Sequence, residues 1–352
     1  MTAPTRFRPL SVLAVRKTTR DAVEVTFDAP GWRWEPGQFL TFRRSFDGTE
    51  VRRSYSICTP PGGPLSVGIK RVEGGAFSAW ANEALAPGDV LEAMPPQGRF
   101  WAGPDQGGHY LGFAGASGIT PVLGILRHVL ATDPAARFTL VYANQRASTI
   151  MFRDEVEDLK SVHMGRLSVI HVLEHDSQEI DLFTGRVTPE KCADLFARWI
   201  DVGSAARAYI CGPEPMMLGI RDALTAAGMP GERVRFELFA SAQPGRLPQK
   251  ARAAREDAAA VPLRVTLDGA TTSLEIAPGQ TVLEAAEAAG LDVPWSCRAG
   301  VCSTCRCRVL EGEVEMDQNH AIEDDELRDG YALSCQSRPV RGPVAVSYDL
   351  GH

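Results

Sequence analysis

Four cysteines near the C-terminal end, Cys297, Cys302, Cys305 and Cys335, are spaced C-x4-C-x2-C with the fourth following after twenty-nine further residues. This is the spacing with which plant-type loops hold a [2Fe–2S] cluster. A loop that wraps two irons must bring backbone N–H groups towards sulfur. Ala299 and Gly300 carry little or no side chain to obstruct that approach. Ser296, Ser303 and Thr304 add hydroxyl donors, which help set the potential of such a cluster. A zinc site would favour two C-x2-C pairs, and here only one pair is that close. Cys307 lies outside the pattern and reads as a core residue of a strand over 306–310. The last quarter of the chain is therefore expected to pass single electrons, and the rest to supply or receive them.

A chain of 352 residues, 44% apolar and 23% charged, has room for two to four domains with their own cores. No stretch approaches about eighteen consecutive apolar residues, so no membrane span is expected. The first residues alternate apolar and polar and lack a signal-peptide core, and they read as a first strand. With four of eight cysteines in the cluster motif and the others scattered, a disulfide framework is not expected; the usage suits a reducing cytoplasm. Residues 260–352 hold 15 Asp and Glu against 7 Lys and Arg, a balance of −8, whereas the whole chain is at −7. The acidic excess thus sits on the cysteine-bearing module. Nucleic acid is not an expected partner for it; the acids between Glu311 and Asp329 form either a solvated face or a patch that steers a basic protein.

The pattern changes twice along the chain. Runs at 22–28, 38–43 and 65–72 alternate with period two between Gly, Pro and Asp turns, and one helix at about 77–85 interrupts them. This predicts a closed antiparallel β-barrel over 1–103. Over 104–240, apolar strands at 109–114, 138–143, 167–173, 207–211 and 233–238 alternate with helices near 119–131, 149–160, 189–199 and 214–227, predicting a parallel-sheet α/β domain. Residues 241–260, rich in Ala, Arg and Pro without apolar period, read as a tether. Strands resume at 261, a helix covers 281–290, and the third module runs over 261–352.

Two constellations suit a dinucleotide with a flat aromatic end, such as FAD. At the end of a strand, Arg53, Ser54, Tyr55 and Ser56 offer a cation for phosphate, a ring for stacking and a hydroxyl for a ring nitrogen. Further on, Lys70 precedes a G-G-A-F-S turn with Gly75, Phe77 and Ser78, whose glycines leave N–H groups free at a helix start. In the second domain, the first strand leads into G-A-S-G-I-T-P, residues 115–121, with Gly115, Ser117 and Gly118 allowing close backbone approach. Thr120 reads as an N-cap and Pro121 as the first helical residue. The fourth strand ends in Cys211, Gly212 and Pro213. Both turns fall at strand C-termini, where open parallel sheets bind ligands.

In this order, these motifs resemble the ferredoxin–NADP⁺ reductase superfamily with a C-terminal plant-type ferredoxin domain, over residues 8–349. Stretches such as R-V-E-G-G-A-F-S-A-W-A-N-E-A-L and G-V-C-S-T-C-R-C-R-V-L-E-G-E-V are most similar to reductase components of phenylacetyl-CoA oxygenases. The resemblance implies a β-grasp fold for the last module. It implies that Arg53 holds the FAD pyrophosphate, with Gly75, Phe77 and Ser78 around it, that Tyr55 stacks on the isoalloxazine and that Ser56 faces N5. Thr120 and Cys211-Gly212-Pro213 would flank the nicotinamide, and Glu237 and Phe239 would close the domain, with Phe239 covering the flavin. Trp295 stands where the family usually has Tyr. The seven histidines form no C-x-H or E-x-x-H pattern, so an oxygen-activating centre is expected on a separate oxygenase. Other readings are the reductase of a Rieske-type ring or steroid hydroxylase or of an acyl desaturase, and a redox-sensing electron carrier. The segment after the second strand carries Arg146, Ser148 and Arg153 with no acid before Asp154, which favours NADPH over NADH as donor.

Overall fold

The computed structural model describes residues 6–239 and 260–349, and the chain forms two compact units, Met1–Ala242 and Gln243–His352. The tether expected over 241–260 lies outside the described residues except for Ala260.

The first unit opens with an antiparallel sheet of β1 (Arg8–Thr19), β2 (Ala22–Asp28), β3 (Phe39–Phe46), β4 (Thr49–Ser56), β5 (Leu65–Lys70) and, after helix α1 (Ala76–Glu83), β6 (Val90–Ala93), in the order β4-β3-β6-β1-β2-β5. The two ends meet through an antiparallel bridge between Ile57, just past β4, and Val67 of β5, which closes the barrel. Alternation in β2 buries Val23, Val25 and Phe27 in a core with Leu40, Phe42, Leu65 and Phe77. Phe77 lies inside this core, 1% exposed, rather than at the helix tip.

The same unit continues with β7 (His109–Gly115), α2 (Ile119–Thr132), β8 (Arg137–Asn144), α3 (Arg153–Val162), β9 (Leu167–Leu173), α4 (Pro189–Arg198), β10 (Ala205–Cys211), α5 (Glu214–Ala226) and β11 (Val234–Glu237). The strands are all parallel, in the order β11-β10-β7-β8-β9. Connections leave β7 towards β8 on one side and reach β10 on the other, so the crevice between the ends of β7 and β10 is the topological switch point. Two details differ from the sequence-based expectation. Helix α2 begins at Ile119, continuing a 3-10 turn over Ala116–Gly118; Thr120 is its second residue and donates back to Ser117 O at 3.0 Å instead of capping. Helix α3 starts at Arg153 and not near 149, because Phe152 is buried in the left-handed region at φ 56° and breaks the turn before it.

Barrel and sheet share one core. Ala22, Cys58 and Phe100 of the barrel segment pack with Leu123, Leu126, Phe138 and Tyr209. Helix α2 carries Gly124 where a Cβ would stand 2.8 Å from Ile57 O, and Arg127 donates to Cys58 O at 2.9 Å. Gly68 in β5 leaves room for Thr120 and Phe152: its added Cβ would meet Thr120 Cγ2 at 2.5 Å.

The second unit holds β12 (Val261–Leu267), β13 (Ala270–Ile276), α6 (Val282–Ala288), β14 (Arg306–Met316), α7 (Asp324–Arg328), β15 (Tyr331–Leu333) and β16 (Ser337–Ser347) in a mixed sheet ordered β13-β12-β16-β14-β15. A parallel β12–β16 pair lies between antiparallel ones, and α6 packs on β13 and β16, which is the β-grasp arrangement. Thr281 and Glu284 form a reciprocal capping box that starts α6. Among the described residues no helix is long and apolar enough to cross a membrane.

At the switch point, Gly118 has an ordinary backbone conformation, yet a Cβ there would run into the Cys211 carbonyl. Gly118→Ala should therefore lower stability by about 1–3 kcal/mol through overpacking against rigid backbone. Gly231→Ala, with nothing near its added Cβ, should be close to neutral. Chemical denaturation of the two variants beside the parent checks the difference.

Candidate functional site

The turns after β7 and β10 touch each other. An added Cβ on Gly115 would meet Pro213 Cδ at 2.7 Å and Gly212 Cα at 3.2 Å, and one on Gly212 would meet Gly115 Cα at 3.0 Å. These glycines are thus required first for turn-on-turn packing, which brings the two motifs to one crevice. Parallel register sets Cys211 beside Glu237 on β11. From the barrel, Ser56 at the end of β4 donates through Oγ to Glu237 Oε2 at 3.2 Å. Ser56, Cys211 and Glu237, far apart in sequence, therefore converge where the barrel meets the carboxyl ends of the parallel strands. Burial raises the Glu237 carboxyl to about 8, with the Ser56 hydrogen bond working against the shift. Burial, and then Glu237, push the Cys211 thiol well up. Both shifts favour the uncharged forms of these groups. Phe239 is half-buried against the adjacent core.

Along β4, Arg53 is exposed and donates from Nη1 to Arg52 O at 2.7 Å, and Ser54 Oγ pairs with Thr41 Oγ1 at 2.9 Å. Tyr55 is half-buried, its ring 5.6 Å from Phe77 and 6.3 Å from Phe42. Phe77 therefore supports Tyr55 from within the core. Lys70 faces Asp21 at 3.8 Å. Ser78 turns back: it donates to Gly75 O at 3.1 Å and accepts from Val72 N at 3.2 Å, closing the G-G turn. No side chain caps the N-terminus of α1, and no acid lies in its first turn. An open hollow of about 520 Å³ lies there, lined by Arg71, Gly74, Gly75 and Ala76 and also by the carboxylates Asp21 and Glu73.

Beyond β8, the N-cap residue Arg146 leads a 3-10 turn over Ala147–Thr149. Arg153 is exposed at the start of α3. This segment has no acid of its own before Asp154, but the fold brings one in: Asp176, from the loop after β9, takes Arg146 Nη1 at 3.1 Å and Ala147 N at 2.7 Å. Sequence reasoning missed it because it follows a different strand. Asn144, 7% exposed at the end of β8, lies beside the Tyr142 hydroxyl. Tyr142, two residues earlier, donates to Ala116 O of the first turn at 3.2 Å.

In the second unit the four cysteines converge as two pairs. Cys297 lies against Cys302 and Cys305 against Cys335, and each member of a pair shifts the titration of the other. The Cys302 bond, then the N–H groups of Ala299, Val301 and Cys302, draw Cys297 down to about 6. Ala299 N stands 3.3 Å from Cys297 Sγ, as the small residues of the loop suggested, and Gln336 Nε2 stands 3.5 Å from Cys335 Sγ. Gly300 has φ 74°, and its added Cβ would meet Gln318 O at 2.8 Å. Cys307 is buried within β14, as expected of a core residue. Trp295 lies under the Arg298 guanidinium, 3.9 Å from its ring centroid.

Three family models match the chain: an oxidoreductase FAD-binding domain over 14–101, an oxidoreductase NAD-binding domain over 113–222 and a 2Fe-2S iron-sulfur cluster binding domain over 265–340. The chain is 40% identical to one of the subunits of 1,2-phenylacetyl-CoA epoxidase from Escherichia coli (strain K12), over 98% of both chains. It is 35% identical to the ferredoxin reductase component of 3-ketosteroid-9-alpha-monooxygenase from Rhodococcus rhodochrous, over 96% of each. The chain belongs to the flavin and [2Fe–2S] reductase components of oxygenase systems. Among solved structures, phthalate dioxygenase reductase superposes with a TM-score of 0.59 at 25% identity, covering 97% of this chain and 98% of that one. An intact type IV self-sufficient cytochrome P450 monooxygenase gives 0.72 at 24% identity, covering 97% of this chain and 41% of that one, a likeness of fold.

The reductase thus takes electrons from NAD(P)H and passes them by FAD and a [2Fe–2S] cluster to a separate oxygenase. Its residues fit these groups. Two thiol pairs answer to two irons. The start of α1, which no side chain caps, offers backbone N–H groups to a phosphate beside the hollow, with Arg71 there as the cation against Asp21 and Glu73.

Because the Glu237 carboxyl is raised in the folded protein, its contribution to stability is full below its ordinary value near 4.5 and is lost as pH rises through about 8. Flavin-free reductase should lose stability between pH 5 and pH 8, and Glu237→Gln should lose less over the same interval. Thermal unfolding of both at the two pH values measures this; parallel curves would remove Glu237 as the cause.

Proposed function

We propose that the reductase serves an oxygenase acting on phenylacetyl-CoA or a closely related aryl thioester. The observation that carries the reading is 40% identity, at 98% coverage of both chains, to a phenylacetyl-CoA epoxidase subunit. A steroid hydroxylase is the second reading, favoured by the 35% identity to a ketosteroid monooxygenase component. The cysteine usage suits the cytoplasm as its compartment. In our reading the modules are residues 1–103, 104–240 and 261–352, with 241–260 as tether.

Bound FAD would convert a hydride from the nicotinamide into single electrons for the cluster. The chain's own residues would do the positioning. Arg53 and the α1 start, with Lys70, Gly75 and Ser78 shaping it, would hold the pyrophosphate. The Phe77-backed Tyr55 ring would stack on the flavin. The Ser56 hydroxyl would meet the ring nitrogen that receives hydride. Gly115, Ser117, Gly118, Thr120 and the Cys211-Gly212-Pro213 turn would shape the nicotinamide crevice, and Phe239 would cover it. Cys297, Cys302, Cys305 and Cys335 would hold the cluster. NADPH is the favoured donor, with Arg146 and Arg153 near its 2′-phosphate.

Ser56→Ala should slow flavin reduction about tenfold or more with FAD retained, since it removes an oriented hydrogen bond at the reacting atom. Arg53→Ala should chiefly weaken FAD retention. Stopped-flow reduction and the flavin content of purified protein separate the two, and reversed phenotypes would refute the assignment.

The oxygenase assignment is tested by transfer from the reductase to purified phenylacetyl-CoA epoxidase and ketosteroid monooxygenase components. Product formation should be faster with the former. The rate should fall as salt rises, because exposed acids on the cluster module are screened over roughly 8–10 Å. Faster turnover with the steroid system would select the second reading.

A further inference from the structure

The proposed donor site contains a contact that bears on how nucleotides are told apart. In open α/β sheets the loop after the second strand meets the far ribose of a dinucleotide, where a carboxylate accepts from the 2′-hydroxyl and an arginine accommodates a 2′-phosphate. Here that loop supplies the arginine but no acid. The acid comes from the loop after the neighbouring strand.

The reason is register. Strands β8 and β9 pair up to Asn144 and Leu173, and the ladder runs on past both: Glu174 N donates to Asn144 O at 2.9 Å and His175 N to Gln145 O at 2.9 Å. The next step sets Asp176 opposite Arg146. Its Oδ1 takes Arg146 Nη1 at 3.1 Å, and its Oδ2 takes Ala147 N at 2.7 Å. Arg146 is 57% exposed on its side chain and Asp176 is 32% exposed. The contact to the guanidinium is single, not the two-pronged pairing that Arg makes with a carboxylate at full strength. The arginine is thus held but not sequestered, while the bond to Ala147 N anchors the carboxylate in the loop.

We infer that Asp176 is the residue that sets the ratio between the two nucleotides, by competing with a 2′-phosphate for Arg146. This rests on the donor reading above. With NADPH, the phosphate must draw Arg146 away from Asp176 and then stand near an uncompensated carboxylate. With NADH, the pair stays closed, and Asp176 keeps an acceptor at the ribose end. The reductase therefore uses both nucleotides, with a preference for NADPH narrower than its arginines alone would give.

The test uses the FAD- and cluster-loaded reductase and steady-state kcat/KM for NADPH and NADH. Asp176→Asn keeps an acceptor for Ala147 N and removes only the charge. It should raise the NADPH-to-NADH ratio roughly tenfold, since it abolishes a like-charge contact. The gain should appear in KM for NADPH with kcat unchanged. Adding Arg146→Ala to Asp176→Asn should cancel the gain. Asp176→Ala, which also gives up the loop bond, should raise KM for both nucleotides; a structural role alone would do this without changing the ratio in Asp176→Asn. An unchanged or lowered ratio in Asp176→Asn, or a gain that persists without Arg146, overturns the inference while leaving NAD(P)H as donor. Failure of NADH alone to reduce the flavin of the parent protein would overturn the inference, and failure of both nucleotides would overturn the donor reading with it.

Discussion

The close approach of two backbone turns at the switch point of the parallel sheet positions nearly everything else in the first unit. Gly118 lies against the Cys211 carbonyl and Gly115 against Gly212 and Pro213. Only glycines permit this, and the approach holds the ends of β7 and β10 together. Cys211 is thereby fixed, and parallel register carries the placement one strand further, to Glu237. The barrel is then locked to the same point: Gly124 and Arg127 of α2 bind the segment just past β4, and Ser56, at its end, reaches Glu237. A small displacement in the turn contact would pass directly to the Ser56–Glu237 pair, because helix, strand and turn are packed without slack.

The second unit solves a different problem. A cluster loop must keep four thiols close without letting them form disulfides or gather round a single ion. The chain does this with backbone. Arg298, Gly300 and Ser303 all have positive φ, which curls the loop so that N–H groups face sulfur. Gln336 braces the far side by donating to Arg298 O at 3.1 Å. The resulting two pairs follow sequence order, first with second and third with fourth, so the wide gap before Cys335 is bridged by the sheet: β14 begins just after Cys305 and pairs with β15, which ends just before Cys335.

Much of this was legible in the sequence, for identifiable reasons. Period-two and βα alternation placed the barrel strands and the parallel sheet, because burial on one face or on two leaves different patterns. Cysteine spacing marked the cluster loop. Ser56, Cys211 and Glu237 could be named from motifs, though not brought together, since their contact depends on strand order. Other features left no local signal. Thr120 has the residue type of an N-cap, but a 3-10 turn running straight into the helix moves the true start upstream. Phe77 lies in a phosphate-type turn, yet helical geometry aims its ring into the core. The glycines of G-A-S-G suit a ligand approach, but their first partner is another turn. Asp176 was invisible because its partner, Arg146, is thirty positions away and the link is a ladder that outruns its strands.

The distribution of charge follows a common logic. At the junction where hydride would pass, Ser56 is neutral by nature, and desolvation favours the neutral forms of Cys211 and Glu237. Fixed charge there would favour one redox state of a bound ring over another, and it would cost several kcal/mol in a low-dielectric site. Charge is placed instead at the periphery: Arg146 against Asp176, at the proposed nucleotide tail, and the acidic surface of the cluster module. In such positions solvent lowers the cost of ionisation, and a single opposing charge can alter partner choice without disturbing the reacting atoms.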